Sequence, residues 1–484
     1  MTSRILLRSG KSPFVPVKPE TTLTQDVFNT NTGNLLFQYS VWRSLSVPGS
    51  QITTNGTLTE RRWSTVAEEL FERANSEFDV FVVPMANAFR ADFVDSLDRL
   101  TDFIERLTIP VVVVGIGAQS STGYDTQPLV EIGPNVKRFV SAVLDRSTTM
   151  GVRGEFTADY LASLGFGSDK IDVIGCPSLF LYGPDLRVER KVSSIANDSP
   201  LATSYSPKTV RAGEGEWITN LGQKYSNMDV LLQDANDLRL LLWGYSREAP
   251  DYDPRFPDHF DHPLYQAGRL KMFVDVWPWL DYQEERDFVF GTRFHGNVSA
   301  ILARTPAHIL AHDSRTLELA RFHHIPHTVV DEFNVNLDPQ SIFEATEYSE
   351  FNNAMPELFA NYVAFLERNQ LDHIWRHDSD DNGFLATVHA TEFAPVVQPV
   401  TNVRELVSRV AWLQNGSQYD GASHRDRMDY PFNLPERRYP MNYEIRRQEN
   451  LQNAELKELG KRIYKLETQG LRGLWRRISR RLNK

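Results

Sequence analysis

The chain has 484 residues, of which 41% are hydrophobic and 24% are charged, and these values are ordinary for a globular protein. At roughly 150 residues per domain, the length predicts two or three domains with large cores. The net charge of −11 disfavours nucleic acid as a partner, because the one strongly basic segment lies at the extreme C-terminus. The single cysteine, Cys176, excludes an internal disulfide bond, and the N-terminus lacks a signal-peptide pattern, so we expect a cytoplasmic protein.

From about residue 78 to 180, short apolar segments alternate with amphipathic ones, which is typical of a parallel sheet covered by helices on both faces. The predicted strands are FDVFVVPM, IPVVVVGIGAQ, TMGVRG and IDVIGC. The predicted helices are ADFVDSLDRLTDFIERL, VKRFVSAVLDRS and EFTADYLASLGF, which have apolar residues at helical spacing. Residues 182–227 are polar and rich in Gly, Ser and Pro, and we expect an irregular crossover that contains a domain boundary.

A second alternating block follows this crossover. The predicted strands are MDVLLQD, KMFVDV, DFVFGTR, AHILAHD and HTVVDEF, and the predicted helices are WPWLDYQEER, HGNVSAILAR and TLELARFHHI. The fold class is therefore α/β, with two Rossmann-like units in series and a helical tail. The predicted domains are residues 1–190, residues 191–375, an irregular extension at 376–440 and the tail at 441–484.

The tail carries two helical patterns. Four apolar residues spaced three and four apart form a short heptad pattern, which favours a coiled coil and a homodimer. Beyond Gly470, a basic amphipathic helix with Trp475 on its apolar face favours peripheral contact with an anionic membrane surface. Docking onto protein is the open alternative for that helix.

The segment VVVVGIGAQS places Gly117 and Gln119 just after a predicted strand. A dinucleotide site is disfavoured, because Ser120 stands where the third glycine would be and no acidic residue ends the next strand. One interpretation is a tight turn that needs glycine. The other is a ligand loop at the carboxyl end of a strand, in which Gln119 hydrogen-bonds the ligand.

Two further strand ends carry cations. In MGVRGEF, Arg153 is either a surface residue paired with Glu155 or Asp159, or part of an anion site near a helix N-terminus. In GTRFHGN, Arg293 and His295 flank the turn between a strand and a helix. There they either form an anion cradle with a proton-donating imidazole, or are a surface Arg and a buried His bound to a carbonyl.

The segment NTNTGNLL near the N-terminus is a polar loop before an apolar helix. Asn31, Gly33 and Asn34 are either ligand-binding residues or an ordinary N-cap. The histidines between 308 and 327 lack zinc-site spacing, so no metal is expected. Cys176 follows an apolar strand, and we expect it to have a packing role.

In their order and spacing, these motifs resemble the polysaccharide pyruvyl transferase family. The resemblance rests on NTNTGNLL, VVVVGIGAQ, GVRGEFTADYLASLGF, DVIGCPSLFL and FVFGTRFHGNVSAILARTPAHIL, and it covers about residues 25 to 335. One departure is Asn34, where the family often has an acidic residue. The resemblance implies a fold like that of the GT-B glycosyltransferases, with the site in a central cleft between the two domains.

The resemblance also implies phosphoenolpyruvate as co-substrate and a sugar diol as acceptor, in a polysaccharide or lipid-linked glycan, with no cofactor. The matching Arg-x-His, Arg293 and His295, would serve the donor, with His295 as the proton donor. We extend the donor site and assign the N-terminal loop to the acceptor. The expected donor-binding residues are Arg153, Arg293, His295, Gly296, Gln119 and Gly117, and the expected acceptor-binding residues are Asn31, Gly33 and Asn34.

Two alternatives remain at the level of sequence. A nucleotide-sugar glycosyltransferase of the same architecture would need an acidic residue for the ribose, and Glu318 has a suitable position. A non-catalytic scaffold of a polysaccharide synthesis complex would use the tail. An Arg293/His295 pair that points into a cleft would disfavour the scaffold.

Overall fold

The computed structural model describes residues 3–20, 22, 27–28, 31–55, 67–205, 213–244, 255–330, 337–400 and 402–415. Within these ranges the chain forms two α/β domains, each built on a parallel sheet. The prediction of two Rossmann-like domains is therefore confirmed. The predicted tail, 441–484, and residues 416–440 of the predicted extension lie outside the described residues.

The first domain precedes residue 190. Its strands are β1 (Arg4–Leu7), β2 (Gln51–Thr54), β3 (Val80–Pro84), β4 (Asn87–Phe89), β5 (Val111–Val114), β6 (Gly117–Ala118), β7 (Met150–Val152) and β8 (Ile171–Val173). Its helices are α1 (Gly33–Ser44), α2 (Ala67–Glu77), α3 (Val94–Glu105), α4 (Gln127–Val130), α5 (Gly133–Leu144) and α6 (Glu155–Ser163), with short 3-10 helices at Ala91–Phe93 and Pro177–Phe180.

The main sheet of this domain has the parallel order β2-β1-β3-β5. β7 and β8 continue it, because the N–H of Gly115, just after β5, donates to the carbonyl of Gly151 in β7 at 3.0 Å. β3 (VFVVP) and β5 (VVVV) are buried along their whole length, as expected for strands covered on both faces. α3 buries Leu97, Leu100 and Ile104, whose spacing makes one apolar stripe.

The second domain contains a six-stranded sheet. Its strands are β9 (Leu201–Ser204), β10 (Met228–Leu232), β11 (Leu270–Met272), β12 (Phe288–Gly291), β13 (Ala307–Ala311) and β14 (His327–Val329). Its helices are α7 (Glu214–Lys224), α8 (Ala235–Trp243), α9 (Pro263–Gln266), α10 (Val276–Glu284), α11 (Phe294–Leu302), α12 (Ser314–Phe322) and α13 (Pro339–Glu344). The strand order β11-β10-β9-β12-β13-β14 is the doubly wound arrangement. From β9 the chain first adds strands on one side and then, from β12, on the other, so the strand order reverses between β9 and β12.

The interpretation of residues 182–227 as irregular was wrong, because β9 and α7 lie in this stretch. β9 has the sequence LATS, which contains only one large apolar residue and gives almost no hydrophobic signal. It forms a strand because it is the central strand of the sheet, paired in parallel with β10 on one side and β12 on the other. Tertiary contacts therefore outweigh local preference here.

The chain returns to the first domain through a long helix, α14 (Ser349–Arg368). Tyr362 in this helix donates to Ser44 Oγ at 3.2 Å. Asn369, just after it, accepts from the backbone N–H of Thr148 and of Thr149, both at 3.1 Å. The predicted range 191–375 thus includes a helix that packs on the first domain.

The segment after residue 375 contains more regular structure than the sequence predicts. It has a 3-10 helix at Ile374–Arg376 and two α-helices, α15 (Phe384–Ala390) and α16 (Val403–Asn415). Between these helices, Val397 pairs with Met272 of β11 in an antiparallel bridge. The prediction of an irregular extension is therefore wrong for these residues, since they form helices and a bridge to β11.

A buried ion pair joins the two domains. Lys11, in the loop after β1, is fully buried, and its Nζ lies 2.5 Å from the carboxylate of Asp275, which caps α10. Burial lowers the pKa of Lys11 and raises the pKa of Asp275, and each charge partly offsets this effect on the other. A pair of this kind fixes the relative position of its two elements, because neither charge can be left alone.

We expect Lys11→Met to lower the free energy of unfolding by about 3 kcal/mol, because Asp275 would stay buried without its cation. The double variant with Asp275→Asn, which keeps an oxygen to cap α10, should recover part of that loss. Denaturant unfolding followed by tryptophan fluorescence measures both. The exposed Arg138, paired with Asp102 and Glu105, provides the control Arg138→Met, which should cost little. Equal stabilities for Lys11→Met and this control would contradict the expectation.

Candidate functional site

The reversal point of the second sheet lies between β9 and β12, where open α/β sheets form a crevice for ligands. Ser204 ends β9 and pairs with Gly291, which ends β12. α11 begins three residues after this strand, so its unpaired N–H groups face the same edge. Arg293, His295 and Gly296 therefore lie together at this edge of the sheet.

Two glycines allow close packing around Ser204 of β9, one at the end of β12 and one in α11. Gly291 has φ +145°, and a Cβ there would collide with the carbonyl oxygen of Ser204. A Cβ on Gly296 would lie 2.5 Å from Ser204 Oγ and 2.9 Å from Gln233 Nε2. The position of Gly296 is therefore explained by close packing of the helix on the strand.

Arg293 is the N-cap residue of α11, and its guanidinium is paired with a carboxylate. Nη2 donates to Asp234, which caps α8, and Nε donates to the carbonyl of Tyr205 at 3.0 Å. The same carboxylate accepts from Asn31 Nδ2, in the first domain, at 3.1 Å. The charge of Arg293 is thus offset by Asp234, a partner that the sequence analysis did not identify.

His295 lies in the first turn of α11 and contacts the first domain. Its Nε2 is 3.7 Å from the sulfur of Cys176, and its ring stacks on Phe37 with centroids 5.7 Å apart. A carbonyl-bound imidazole, the alternative interpretation from sequence, is not observed among the described residues. The imidazole therefore faces the junction between the domains.

The electrostatic surroundings of His295 disfavour its charged form. Burial is the largest cause, and the cations of Arg153, Arg315 and Arg293 add to it, so the pKa of His295 lies well below its ordinary value. The imidazole is consequently neutral near pH 7 unless an anion enters the site.

Arg153 is 2% exposed and follows β7 directly. Its Nε donates to the carbonyl of Gly115 at 2.9 Å. Within the described part of the chain, no carboxylate forms an ion pair with it and its two terminal nitrogens have no hydrogen-bond partner; the alternative pairing with Glu155 or Asp159 is likewise not observed there. Burial lowers the pKa of Arg153 to about 10, so the group is still a cation at neutral pH.

Gly117 makes room for this arginine. A Cβ on Gly117 would lie 2.5 Å from Cδ of Arg153 and 3.3 Å from its Nε. Gly117, in β6, is therefore required by the buried cation next to it. The turn after β5 is made by Gly115, which has φ +77°.

Gln119 lies at the edge where the two domains meet. Its Oε1 accepts from Asn87 Nδ2 at 2.5 Å, and its Nε2 donates to Asp313, the cap of α12, at 3.3 Å. Next to it, Ser120 N–H donates to Ser314 Oγ at 2.7 Å, and Ser314 N–H donates to the Ser120 carbonyl at 3.0 Å. Gln119 thus joins the domains, with both ends of its amide engaged by protein.

The N-terminal loop packs against His295. Asn31 Oδ1 accepts the N–H of Gly33 at 2.8 Å in a local turn before α1, whose N-cap residue is Thr32 and has no side-chain cap hydrogen bond. A Cβ on Gly33 would lie 2.8 Å from His295 Cβ and 3.0 Å from its Nδ1. Asn34 donates to the carbonyl of Phe28 at 3.3 Å. The structure brings Gly33 to the imidazole, while the two asparagine side chains contact the protein.

Four residues near the site were not predicted from the sequence as ligand-site residues. Cys176 and Asp234 end segments that were predicted as strands, and Arg315 lies two residues after another; parallel strands end at one edge of a sheet. That rule would have identified them. Ser204 could not be found in this way, because its strand was not recognised.

No metal site is apparent in the described ranges, where no three carboxylate, imidazole or thiol groups converge. Of the helices that the structure describes, none combines the length and apolar character needed to cross a membrane.

We expect Gly296→Ala to lower the thermal unfolding midpoint, because the added methyl would push α11 away from Ser204, and overpacking of this kind costs about 1–3 kcal/mol. Gly123→Ala is the matched control, since an added Cβ there has no neighbour closer than 3.8 Å. Differential scanning calorimetry compares the two. The account of this junction fails if Gly296→Ala unfolds at the same temperature as the control.

Known structures resemble this chain only remotely. They include the UDP-GlcNAc 2-epimerase of Methanocaldococcus jannaschii in complex with UDP-GlcNAc and UDP, with 12% identity, 76% of this chain and 99% of that chain covered, and a TM-score of 0.42. A putative UDP-N-acetylglucosamine 2-epimerase from Listeria monocytogenes has 10% identity, covers 82% and 99%, and has a TM-score of 0.41. HepE from Anabaena, in complex with UDP and glucose, has 13% identity, covers 80% and 100%, and has a TM-score of 0.39.

No curated protein matches the sequence. A family model does match it: the model described as polysaccharide pyruvyl transferase aligns with residues 58–314, which is more than half of the chain and includes Arg153, Arg293 and His295. This agrees with the resemblance inferred from the motifs. The chain belongs to the polysaccharide pyruvyl transferase family.

Proposed function

We propose that this protein transfers the pyruvyl group of phosphoenolpyruvate onto two hydroxyls of a sugar in a polysaccharide or lipid-linked glycan, giving a pyruvate ketal and phosphate. The observation that carries this proposal is the buried Arg153, a cation without an ion-pair partner among the described residues, close to His295. Family membership supports a carbohydrate acceptor. The donor and the ketal chemistry are inferred from the site.

Donor recognition needs concentrated positive charge, because phosphoenolpyruvate is a small, highly charged anion and the protein is acidic overall. Arg153 offers its two free terminal nitrogens, and the first turn of α11 adds backbone N–H donors. Arg293 would bind the anion only if the anion competed with Asp234 for the guanidinium of Arg293. Arg153 is therefore the main anchor in this scheme, and Arg293 the secondary one.

The low pKa of His295 fits a proton donor that becomes charged only with the donor present. An anion beside Arg153 offsets the cations that hold the imidazole neutral, and this raises its pKa. The imidazolium then gives its proton to the methylene carbon, C3, of phosphoenolpyruvate. The positive charge that develops at C2 is attacked by one sugar hydroxyl, which loses its proton.

A second hydroxyl of the same sugar then displaces the phosphate at C2. The bond between C2 and the phosphate oxygen breaks, the second C2–O bond closes the ketal, and the hydroxyl proton returns to the imidazole or to solvent. One proton passes from the imidazolium to C3 and two leave the acceptor. One of these two restores the imidazolium, and the other ends on the leaving group, which departs as hydrogen phosphate, so atoms and charges balance. No cofactor takes part in this scheme.

The acceptor site remains a proposal for the loop of Asn31, Gly33 and Asn34, of which Gly33 lies nearest His295. We propose a cytoplasmic location at the inner membrane face, with membrane contact through the basic amphipathic helix that the sequence predicts after residue 470. Self-association through the heptad pattern is a further proposal. These segments lie beyond the described part of the chain.

A nucleotide-sugar transferase was expected to bind the ribose through Glu318, but this carboxylate is already hydrogen-bonded within the protein. The carboxylate of Glu318 accepts from Thr157 N–H at 2.8 Å and from Thr157 Oγ1 at 3.2 Å, at the start of α6. Burial raises the pKa of Glu318 to about 7. This residue is occupied in joining α12 to the first domain, so no observation favours it as a ribose ligand.

The test is an assay of phosphate release from phosphoenolpyruvate with candidate glycans, with the ketal detected on the sugar by NMR. We expect Arg153→Met to lower kcat/KM for phosphoenolpyruvate by at least about a hundredfold, as for loss of a buried catalytic donor. Arg138→Met, which removes an exposed arginine, should retain activity. Release of a nucleoside diphosphate from nucleotide sugars, with none of phosphate from phosphoenolpyruvate, would overturn the proposal.

A further inference from the structure

The only thiol of the chain lies against the imidazole of the site. Cys176 is fully buried in the turn between β8 and the short helix Pro177–Phe180. Its sulfur is 3.7 Å from His295 Nε2 and 3.3 Å from Ser178 Oγ. Its backbone N–H donates to His323 Nε2 at 2.8 Å, so the turn itself is held from the second domain. The sulfur therefore has a fixed position beside one ring nitrogen.

The two nitrogens of His295 have different surroundings. Nε2 faces the sulfur, whereas Nδ1 lies beside Gly33, where an added Cβ would come within 3.0 Å of this nitrogen. Nδ1 has no hydrogen-bond partner among the described residues. Phe37 stacks on the ring and limits its rotation. A ligand entering the crevice could therefore reach Nδ1 but would find Nε2 already occupied.

We propose that Cys176 is a positioning residue, whose sulfur holds Nε2 of His295 so that Nδ1 is the nitrogen that gives a proton to the donor. This inference rests on the proposed function. It assigns the sulfur no covalent or redox step, and the thiol keeps its proton throughout.

The contact suits both protonation states of the imidazole. In the neutral state of this proposal the S–H group donates to Nε2 and not to Ser178 Oγ, whose own O–H then donates to the sulfur; the ring proton is then on Nδ1. In the charged state Nε2–H donates to sulfur, and Nδ1–H points to the crevice. Burial raises the pKa of the thiol, so it stays protonated, although nearby Arg153 opposes this effect.

Charged groups reach His295 from several elements: Arg153 after β7, Arg315 in α12 and Arg293 at the start of α11. Arg153 also interacts electrostatically with Cys176, but the buried thiol is uncharged, so its removal leaves the three cations in place. An effect of Cys176→Ala on the titration of His295 would therefore report the lost sulfur contact. Leu179→Val is the matched control, because it removes buried volume from the same short helix without touching the imidazole contact.

The first measurement is kinetic. We expect Cys176→Ala to lower kcat by about ten- to a hundredfold, because a misplaced proton donor loses its alignment. KM for phosphoenolpyruvate should change by less than about twofold, since the anion contacts remain. Cys176→Ser should retain more activity than the alanine variant, and Leu179→Val should resemble the wild type. A wild-type kcat and pH profile for Cys176→Ala would overturn the proposal.

The second measurement needs no turnover. Long-range 1H–15N spectra of protein labelled in histidine report which ring nitrogen carries the proton, and His295→Gln assigns the signal. Near neutral pH we expect a single tautomer with the proton on Nδ1 in wild type and a mixture in Cys176→Ala. Identical spectra would overturn the positioning role. If wild type shows this tautomer but no turnover of phosphoenolpyruvate, the proposed function fails while the sulfur contact stands.

Discussion

A buried guanidinium without an ion-pair partner in the described structure organises the site. Arg153 sits where the first sheet ends, held by the carbonyl of Gly115 and accommodated by Gly117. A desolvated cation is costly, and proteins normally offset it with a carboxylate. Lys11 is also a buried cation, and its charge is offset in this way by Asp275. This contrast between the two cations is the basis for proposing an anionic ligand as the partner of Arg153.

The second domain supplies the imidazole on which the charge of Arg153 acts. α11 starts at the reversal point of the other sheet, and its first turn carries His295 across the interface to Cys176 and Gly33. Burial, with the charge of Arg153 adding to it, lowers the pKa of this imidazole. In the proposed mechanism, an anion bound beside Arg153 would raise that pKa, so donor binding and proton supply would be coupled between the domains. Arg293, paired with Asp234, has a smaller part in this coupling than the sequence suggested.

The sequence predicts the fold where apolar segments are long and regular. VFVVP, VVVV and the helices between them are recognisable because both faces of a parallel sheet are buried. It does not predict β9, whose residues LATS form a strand only through their neighbours, or the return of α14 to the first domain. Arg293, His295 and Arg153 stand out as polar residues at strand ends. Their partners Asp234 and Cys176 also stand at the ends of predicted strands, but the contacts that pair them with Arg293 and His295 join distant segments and leave no local pattern.

The most direct test is the proton balance of donor binding. Phosphoenolpyruvate is titrated calorimetrically into the protein near neutral pH, without acceptor, in two buffers of different ionisation enthalpy, and His295→Gln serves as the comparison. Because the anion should raise the pKa of a histidine that is neutral in the empty site, we expect the wild type to take up a proton on binding. This uptake should be absent from His295→Gln. Binding with equal proton exchange in both proteins would contradict the account.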